Sequence, residues 1–345
     1  MGKIIVAIDS FKGCLTSAEA NRAAAEGILA HNPDAEIITI PISDGGEGWL
    51  EAFQAAVGGH LVNVKVNDPL MRPILAQYLI HNDTAVIEIA RASGLTLLSP
   101  EEHNPMKTTS YGTGQLIVDA VRRGCSHIIV GLGGSATSDC GIGMLEAIEN
   151  LKLRIENDVR FTIATDVRNP LCGEKGAAHM FASQKGATPE MVVELDERAR
   201  QFAEESALRF GYDRQDVPGA GAAGGLGYAF LQYMNADCRS GIDLLLDAVC
   251  FEELLKDASL IITGEGSADK QTLMGKVPFG ILLKAKPFNV PVILIAGRIR
   301  DKQLLLDAGS SKSECINPPD ISIDEALKPD VARRNIAILM QKVVP

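Results

Sequence analysis

The glycine-rich stretch GLGGSATSDCG, residues 131–141, carries the residue types best suited to chemistry in this sequence. It follows an apolar β-branched run and precedes a run with helical spacing, so we predict strand, turn and helix. Glycines let the backbone approach a ligand closely, and free amides at the helix start favour an anion such as phosphate. The alternative is an ordinary tight turn whose hydroxyls and carboxylate only cap the helix. The phosphate-binding candidates here are Gly133, Gly134, Ser135 and Thr137.

Similar turns follow other strand-like runs. DSFKG (residues 9–13) follows residues 3–8, SDGGEG (43–48) follows residues 36–40, and TGEGSAD (263–269) follows residues 260–263. Open α/β sheets place ligands at the carboxyl ends of their strands, so these acidic turns suit phosphates and a divalent cation. Phosphoryl transfer needs little more, because positioning and charge neutralisation supply most of its catalysis.

Two other functions stay open on these residues. GLGGSA, residues 131–136, matches the GxGxxA pattern of dinucleotide-binding turns, which would suit an NAD(P)-dependent oxidoreductase of a small hydroxy acid. Against this, Asp166 lies too far along the chain to be the acidic residue that such a site expects. A non-enzymatic small-acid-binding protein is the other option, although passive binding would not need so many acidic turns.

The composition is that of an ordinary globular protein, since 22% of the 345 residues are charged and 46% are hydrophobic. A formal net charge of −11, without long runs of either sign, argues against nucleic acid or a membrane surface as the main partner. No apolar run could span a bilayer and no signal peptide is visible, so we predict a cytoplasmic protein. Seven scattered cysteines without a CxxC pair indicate reduced thiols.

Seven motifs together carry a resemblance to a known family. They are DSFKG, SDGGEG, GGSATSDCG, DVRNPLCG (166–173), QKGATPEM (184–191), PGAGAAGGLG (218–227) and TGEGSADKQTLMGK (263–276). In this order, and across nearly the whole chain, the sequence resembles the bacterial type I glycerate kinase family. The resemblance implies phosphorylation of D-glycerate by ATP with Mg²⁺, at the 2-hydroxyl, with the 3-hydroxyl as the alternative.

The chain departs from the family pattern in three places. Ser138 and Cys140 stand where the family usually has Asn and Gly, and Ser267 stands where an Arg is common. Only residues 150–159 separate the central helix from the next strand, whereas family members usually carry a longer segment there.

A kinase of this kind needs a carboxylate to accept the hydroxyl proton and others to hold magnesium. The catalytic candidates are Asp44 as the base, Asp166 near the metal, and Asp269, although any of the three could be a helix cap. Lys12 and Lys276 are expected to meet the glycerate carboxylate or the transferring phosphoryl group. Further substrate- or phosphate-binding candidates are Asp9, Ser10, Gly45, Gly46, Gly221, Gly224, Gly264, Glu265 and Gly266.

The resemblance also implies two interleaved α/β domains with the site between them. We predict a discontinuous flavodoxin-like domain, residues 1–58 plus 244–345, whose parallel strands include Ile4, Ile37, Leu260 and Val292. Residues 59–243 would form an inserted α/β domain with a mixed sheet, because βα units there give way to a cluster of short strands. ATP and D-glycerate are the expected ligands, and a homodimer is one of the assemblies that stay open.

Overall fold

The computed structural model describes residues 2–43, 45–46, 48–153 and 158–344. The chain divides into two compact units. Unit 1 comprises Met1–Asp44, Glu51–Val57 and Ile242–Pro345, and unit 2 comprises Gly45–Leu50 and Gly58–Gly241. Each unit is built around its own β-sheet.

The strands in chain order are β1 (Lys3–Ile8), β2 (Ile37–Thr39), β3 (His60–Asn67), β4 (Pro73–His81), β5 (Thr84–Glu88), β6 (His127–Gly131), β7 (Arg160–Ala164), β8 (Asp237–Arg239), β9 (Ala258–Ala268), β10 (Val292–Ile299) and β11 (Lys312–Cys315).

The helices are α1 (Ser17–His31), α2 (Trp49–Val57), α3 (Ala90–Ser93), α4 (Tyr111–Arg122), α5 (Ile142–Asn150), α6 (Ala177–Phe181), α7 (Pro189–Phe210), α8 (Ala222–Met234), α9 (Gly241–Ala248), α10 (Phe251–Leu255), α11 (Val277–Ala285), α12 (Lys302–Asp307), α13 (Ile323–Ala326) and α14 (Pro329–Val343). Within the described ranges, none of them combines the length and the apolar character that crossing a bilayer requires.

Unit 1 contains a parallel sheet with the strand order β11-β10-β9-β1-β2. β1 and β10 consist mostly of branched apolar residues, and β9 carries them at residues 260–262, because both faces of such a sheet are covered. Ile5, Ile261 and Leu294 are fully buried. This order is that of the flavodoxin-like doubly wound fold, whose ligands lie at the point where the winding reverses. The predicted flavodoxin-like sheet is therefore confirmed, and the reversal lies between β1 and β9.

Three features of the strands correct the sequence-based prediction. Residues 264–266 were placed in a turn after a strand ending at Thr263, but β9 continues to Ala268 because β10 pairs with it that far. The edge strand β11 was not predicted, since its sequence KSEC has little apolar character. The short strand β8 was also missed, because all three of its residues are exposed and polar or small.

Unit 2 contains a mixed sheet, as predicted, and its strand order is β3-β4-β5-β6-β7-β8. β3, β4 and β5 are antiparallel, and β5 to β8 are parallel. The core beside β6 is dense, with Val130, Ile163 and Phe230 fully buried. Because β5, β6, β7 and β8 run the same way, the segments that follow them emerge at one edge of the sheet.

The start of α1 holds the end of β1 in place. Thr16 and Glu19 form the predicted capping box, in which each side chain accepts a hydrogen bond from the other residue's backbone amide. The buried Asn21 on the same helix accepts from the Ile8 amide at 3.0 Å and donates to the Ile8 carbonyl at 3.2 Å. The segment beginning at Asp9 therefore leaves the sheet from a fixed position.

Candidate active site

The loop between β6 and α5, residues 132–141, is called the β6 loop here. Gly133 lies against Gly45 and Gly46, because an added Cβ would be 2.8 Å from the Gly46 Cα and 2.9 Å from the Gly45 carbonyl oxygen. Gly134 is exposed and has a φ of +73°, which favours glycine. The structure thus brings Gly133 together with the adjacent candidates Gly45 and Gly46, which lie almost 90 positions earlier in the sequence.

Several hydrogen-bond donors of the β6 loop have no acceptor among the described residues. Two of its hydroxyl groups, Thr137 Oγ1 and Ser138 Oγ, are buried and have no hydrogen-bond partner among the described residues. The loop also has backbone amides that donate to no acceptor that the structure describes, namely those of Gly133, Gly134, Ser135, Thr137 and Ser138. A run of unpaired donors at the end of a strand is a suitable cradle for an anion.

A buried lysine lies directly beside this loop. Lys185, at the end of a short 3₁₀ turn (Ser183–Lys185), is 2% exposed. Its ammonium donates to Ser135 Oγ at 2.9 Å and to the Thr137 carbonyl at 2.6 Å. Burial lowers the pKa of Lys185 to about 8, and the nearby Asp139 carboxylate partly opposes that shift. The loop therefore has a positive charge behind it, still mainly protonated at pH 7.

The start of α5 corrects one sequence-based expectation. Its amides were predicted to be free for an anion, but they are already bonded within the protein. The Asp139 carboxylate accepts from the amides of Gly141 and Gly143, both at 3.2 Å, and Ser110 Oγ accepts from the Met144 amide. Asp139 therefore compensates the positive end of the helix dipole itself. The anion cradle consists of the preceding loop and not of the helix terminus.

Asp139 also joins the β6 loop to α4. Its Oδ2 accepts from the Ser110 amide and the Ser110 hydroxyl, both at 2.8 Å.

Asp139→Ala is expected to lower the free energy of unfolding by about 2–4 kcal/mol, because several donors lose a charged acceptor. Urea denaturation followed by circular dichroism measures this. The matched control Glu197→Ala removes a carboxylate that is 59% exposed and 3.8 Å from its Arg200 partner, and should change stability by less than about 0.5 kcal/mol. Equal stability of both variants would contradict the structural role of Asp139.

The PGAGAAGGLG segment packs against the β6 loop. Ala223, Gly224 and Gly225 all have left-handed backbone conformations at the start of α8. A Cβ on Gly224 would lie 2.0 Å from the Thr137 carbonyl oxygen, and the Gly221 amide donates to the Asn169 carbonyl at 2.9 Å. Gly224 is therefore needed for close packing under the loop, and Gly221 for close packing against Asn169 and Pro170. Direct contact of either glycine with phosphate stays a prediction.

Unit 1 collects other candidates at the ends of β1 and β9. Asp9 is 8% exposed, and its carboxylate accepts from the Ser10 amide at 2.7 Å. Gly266 lies beside this turn, since its added Cβ would be 3.5 Å from the Phe11 Cα. Lys12, in the following turn, is exposed. The point where the sheet reverses its winding therefore presents a carboxylate and an ammonium, as ligand sites of this fold do.

Two further candidates of unit 1 form an ion pair. Glu265 is 5% exposed, and it accepts from Lys276 Nζ at 2.9 Å and from Thr272 Oγ1 at 2.6 Å. Lys276 precedes α11 and keeps 34% of its side chain exposed, so its ammonium is oriented by Glu265 while still in contact with solvent. Gly264 lies within β9, where an added Cβ would be 2.2 Å from the Ile295 carbonyl oxygen.

Two of the three candidate aspartates, Asp269 and Asp166, are described by the structure, and they lie in different surroundings. Asp269 stabilises its own turn, because its carboxylate accepts from the Gln271 amide at 2.8 Å. Asp166 follows β7 at the same edge of unit 2 as the β6 loop and is half-buried. Asp44, the predicted base, lies outside the described residues. Among the residues that are described, no cluster of three or more His, Cys, Asp or Glu side chains could hold a metal ion.

Sequence reasoning missed the roles of two residues in unit 2. Lys185 was noted only as part of the QKGATPEM motif. Glu88, at the end of β5 and paired in register with Gly131, is 4% exposed; it accepts from the Leu50 amide at 2.7 Å and from Arg91 Nε at 2.8 Å. The available signal was a single carboxylate at the end of the apolar run TAVIE.

The parallel sheet, the mixed sheet and the anion cradle at a strand end define an α/β enzyme suited to phosphorylated ligands. The chain belongs to the glycerate kinase family, whose sequence profile matches residues 4–153 and 148–344. It is therefore an enzyme of the kinase class, and the oxidoreductase and non-enzymatic alternatives are not supported.

Individual relatives agree with the family assignment. The chain is 40% identical to a glycerate kinase of Halalkalibacterium halodurans, over 98% of each chain. It is also 40% identical to the glycerate 2-kinase of Escherichia coli K12, over 87% of this chain and 86% of the relative. A crystal structure from Salmonella typhimurium LT2, named provisionally as glycerate kinase 2, matches with a TM-score of 0.85 at 37% identity, over 99% of this chain and 97% of its own.

The family profile matches in two stretches that meet at residues 148–153. The alignment with the Halalkalibacterium relative spans 374 positions, more than the 345 residues of this chain, so gaps occur in this chain. Both findings agree with the shorter segment that the sequence comparison placed between α5 and β7.

Proposed function

We propose that this protein transfers the γ-phosphoryl group of ATP to the 2-hydroxyl of D-glycerate. The observation that carries the proposal is the β6 loop, where a run of backbone amides finds no acceptor among the residues that the structure describes. Donors aimed at a phosphate, together with a fixed positive charge, are what phosphoryl transfer requires of a protein. The name of the Escherichia coli relative, glycerate 2-kinase, supports the 2-position over the 3-position.

Magnesium fits this site as an ion carried by the nucleotide. Mg²⁺ is usually held by one or two carboxylates together with substrate phosphates and waters. Asp166, two residues after β7, offers one such carboxylate at the edge of unit 2 from which the β6 loop also emerges. When bound, the ion would neutralise phosphate charge, and Asp166 would hold it while the loop amides orient the phosphates.

The remaining roles follow the chemistry of each side chain. We assign the general base to Asp44, whose carboxylate would accept the hydroxyl proton of glycerate. Lys12 and Lys276 supply ammonium groups for the glycerate carboxylate or the phosphoryl group, and Glu265 orients Lys276. Asp9 and Ser10 are proposed to bind substrate at the switch point of the unit 1 sheet.

The test is a kinase assay with D-glycerate and Mg-ATP, coupled to ADP formation, with NMR identification of the product. We expect ADP to form in equal amount with 2-phosphoglycerate. Formation of 3-phosphoglycerate would overturn the proposed position only. Absence of ADP formation, combined with NADH oxidation in the presence of a small keto acid, would overturn the kinase reaction.

We also propose that the protein acts in the cytoplasm, because the seven cysteines are free thiols in the structure and no disulfide stabilises either unit. The homodimer stays a prediction, which the mass of the protein in solution tests.

A further inference from the structure

Lys185 is a buried cation on which the Asp139 carboxylate acts from beyond ion-pair distance. Its side chain forms no ion pair among the described residues, and its two hydrogen-bond acceptors, Ser135 Oγ and the Thr137 carbonyl, are uncharged. An ammonium has three N–H groups, so one donor remains beyond these two bonds. Buried charges in proteins are normally paired, because removing an ion from water costs several kcal/mol when nothing compensates it.

The stability of the fold alone does not explain this lysine. Burial lowers the pKa of Lys185 to about 8, well below the 10.5 that is usual for a lysine. The unfolded chain therefore binds this proton more tightly than the folded protein does. Stability attributable to Lys185 rises as pH increases from about 8 to 10.5, and the charged form opposes folding at pH 7. Because the charge of Lys185 does not stabilise the fold, we infer that it serves a function in the folded protein.

An anion bound at the β6 loop would supply that reason. The loop has unengaged amides and the unpartnered hydroxyls of Thr137 and Ser138, and the lysine lies behind the same segment. We propose that Lys185 is a positioning residue for the polyphosphate of ATP, whose buried charge attracts the phosphate while its hydrogen bonds hold Ser135 and Thr137. This inference rests on the proposed kinase function and adds a residue to it.

The test compares two uncharged replacements. Lys185→Met removes both the charge and the hydrogen bonds, and Lys185→Gln keeps an amide donor for the Thr137 carbonyl. Equilibrium binding of Mg-ATP and of D-glycerate is measured separately by calorimetry, together with melting temperatures without ligand. We expect both variants to weaken Mg-ATP binding roughly 10- to 150-fold, the value of a charged hydrogen bond, with D-glycerate binding unchanged. The melting temperature of Lys185→Met should equal or exceed that of the wild type.

Three results would overturn the proposal. Wild-type affinity for Mg-ATP in both variants would show that the charge is not used. Restoration by Lys185→Gln alone would show that a hydrogen bond, not a charge, is needed. Weaker D-glycerate binding with unchanged Mg-ATP binding would assign the lysine to the other substrate. If the wild type itself binds no Mg-ATP, the proposed kinase function fails as well, so the two failures are distinguishable.

A measurement on the wild type decides the matter if neither variant folds. Mg-ATP affinity should fall as pH rises above about 8, by at most about tenfold per pH unit, because Lys185 loses its charge. The charged and titratable groups that act on Lys185 are Asp139 and Cys140, and burial raises the pKa of the Cys140 thiol so far that it stays neutral in this range. An affinity that is constant from pH 7 to about 9.5 would contradict the role of Lys185.

Discussion

Gly134→Val is expected to lower kcat/KM by more than about 10³-fold while the protein stays folded. Removal of one preorganised donor to a reacting oxyanion typically costs about 10²- to 10³-fold, and a branched side chain here would obstruct several loop amides together. Gly134 is exposed, so the branch would occupy the space through which a phosphate approaches. Its φ of +73° adds a backbone cost of about 1–2 kcal/mol for a residue with a Cβ.

Gly124→Val is the matched control for this variant. Gly124 lies just before β6, whereas Gly134 lies just after it. The φ of Gly124 is +93°, and an added Cβ there would meet no atom within 4 Å. Gly134→Val should lose somewhat more melting temperature than Gly124→Val, because its added Cβ would lie 3.2 Å from the Ala90 Cβ, but only Gly134→Val should lose activity. Comparable kcat/KM values in both variants would show that the β6 loop has a structural role only.

Gly224→Ala is expected to destabilise unit 2 by about 2–5 kcal/mol, the sum of left-handed strain and overpacking. The added Cβ would lie 2.0 Å from the Thr137 carbonyl oxygen and 2.7 Å from the Ser138 Cα, so backbone must move. Because that carbonyl also accepts from Lys185 Nζ, the displacement reaches the proposed phosphate site directly. Residual folded protein at low temperature should therefore also be nearly inactive.

Gly211→Ala isolates the backbone part of that cost. Gly211 ends α7 with a φ of +77°, and an added Cβ would find no atom within 4 Å. Its stability should fall by only about 1–2 kcal/mol, with full activity. Urea denaturation and kinase assays on both variants make the comparison. Equal losses of stability in the two variants would contradict the predicted overpacking between α8 and the β6 loop.

Much of the fold could be predicted from local patterns. Unbroken runs such as KIIVAI indicated buried strands, Thr16 and Glu19 predicted the start of α1, and alternating motifs indicated two sheets. These features depend on neighbours a few residues away, so the sequence contains them directly. The strands β8 and β11 were missed because their residues are polar or small, and only pairing with a neighbouring strand makes them extended.

The sequence by itself determined the family, the chemical class and the candidate glycine turns, because motifs of contiguous residues preserve that information. Only the tertiary structure decided how those residues are used. Lys185 meets Ser135 across 50 positions of the chain, and Glu88 stands beside Gly131 through strand pairing. Asp139 occupies the start of α5 and so confines the anion cradle to the preceding loop. Burial, charge compensation and competition for amides depend on packing between distant segments, and spacing along the chain does not contain them.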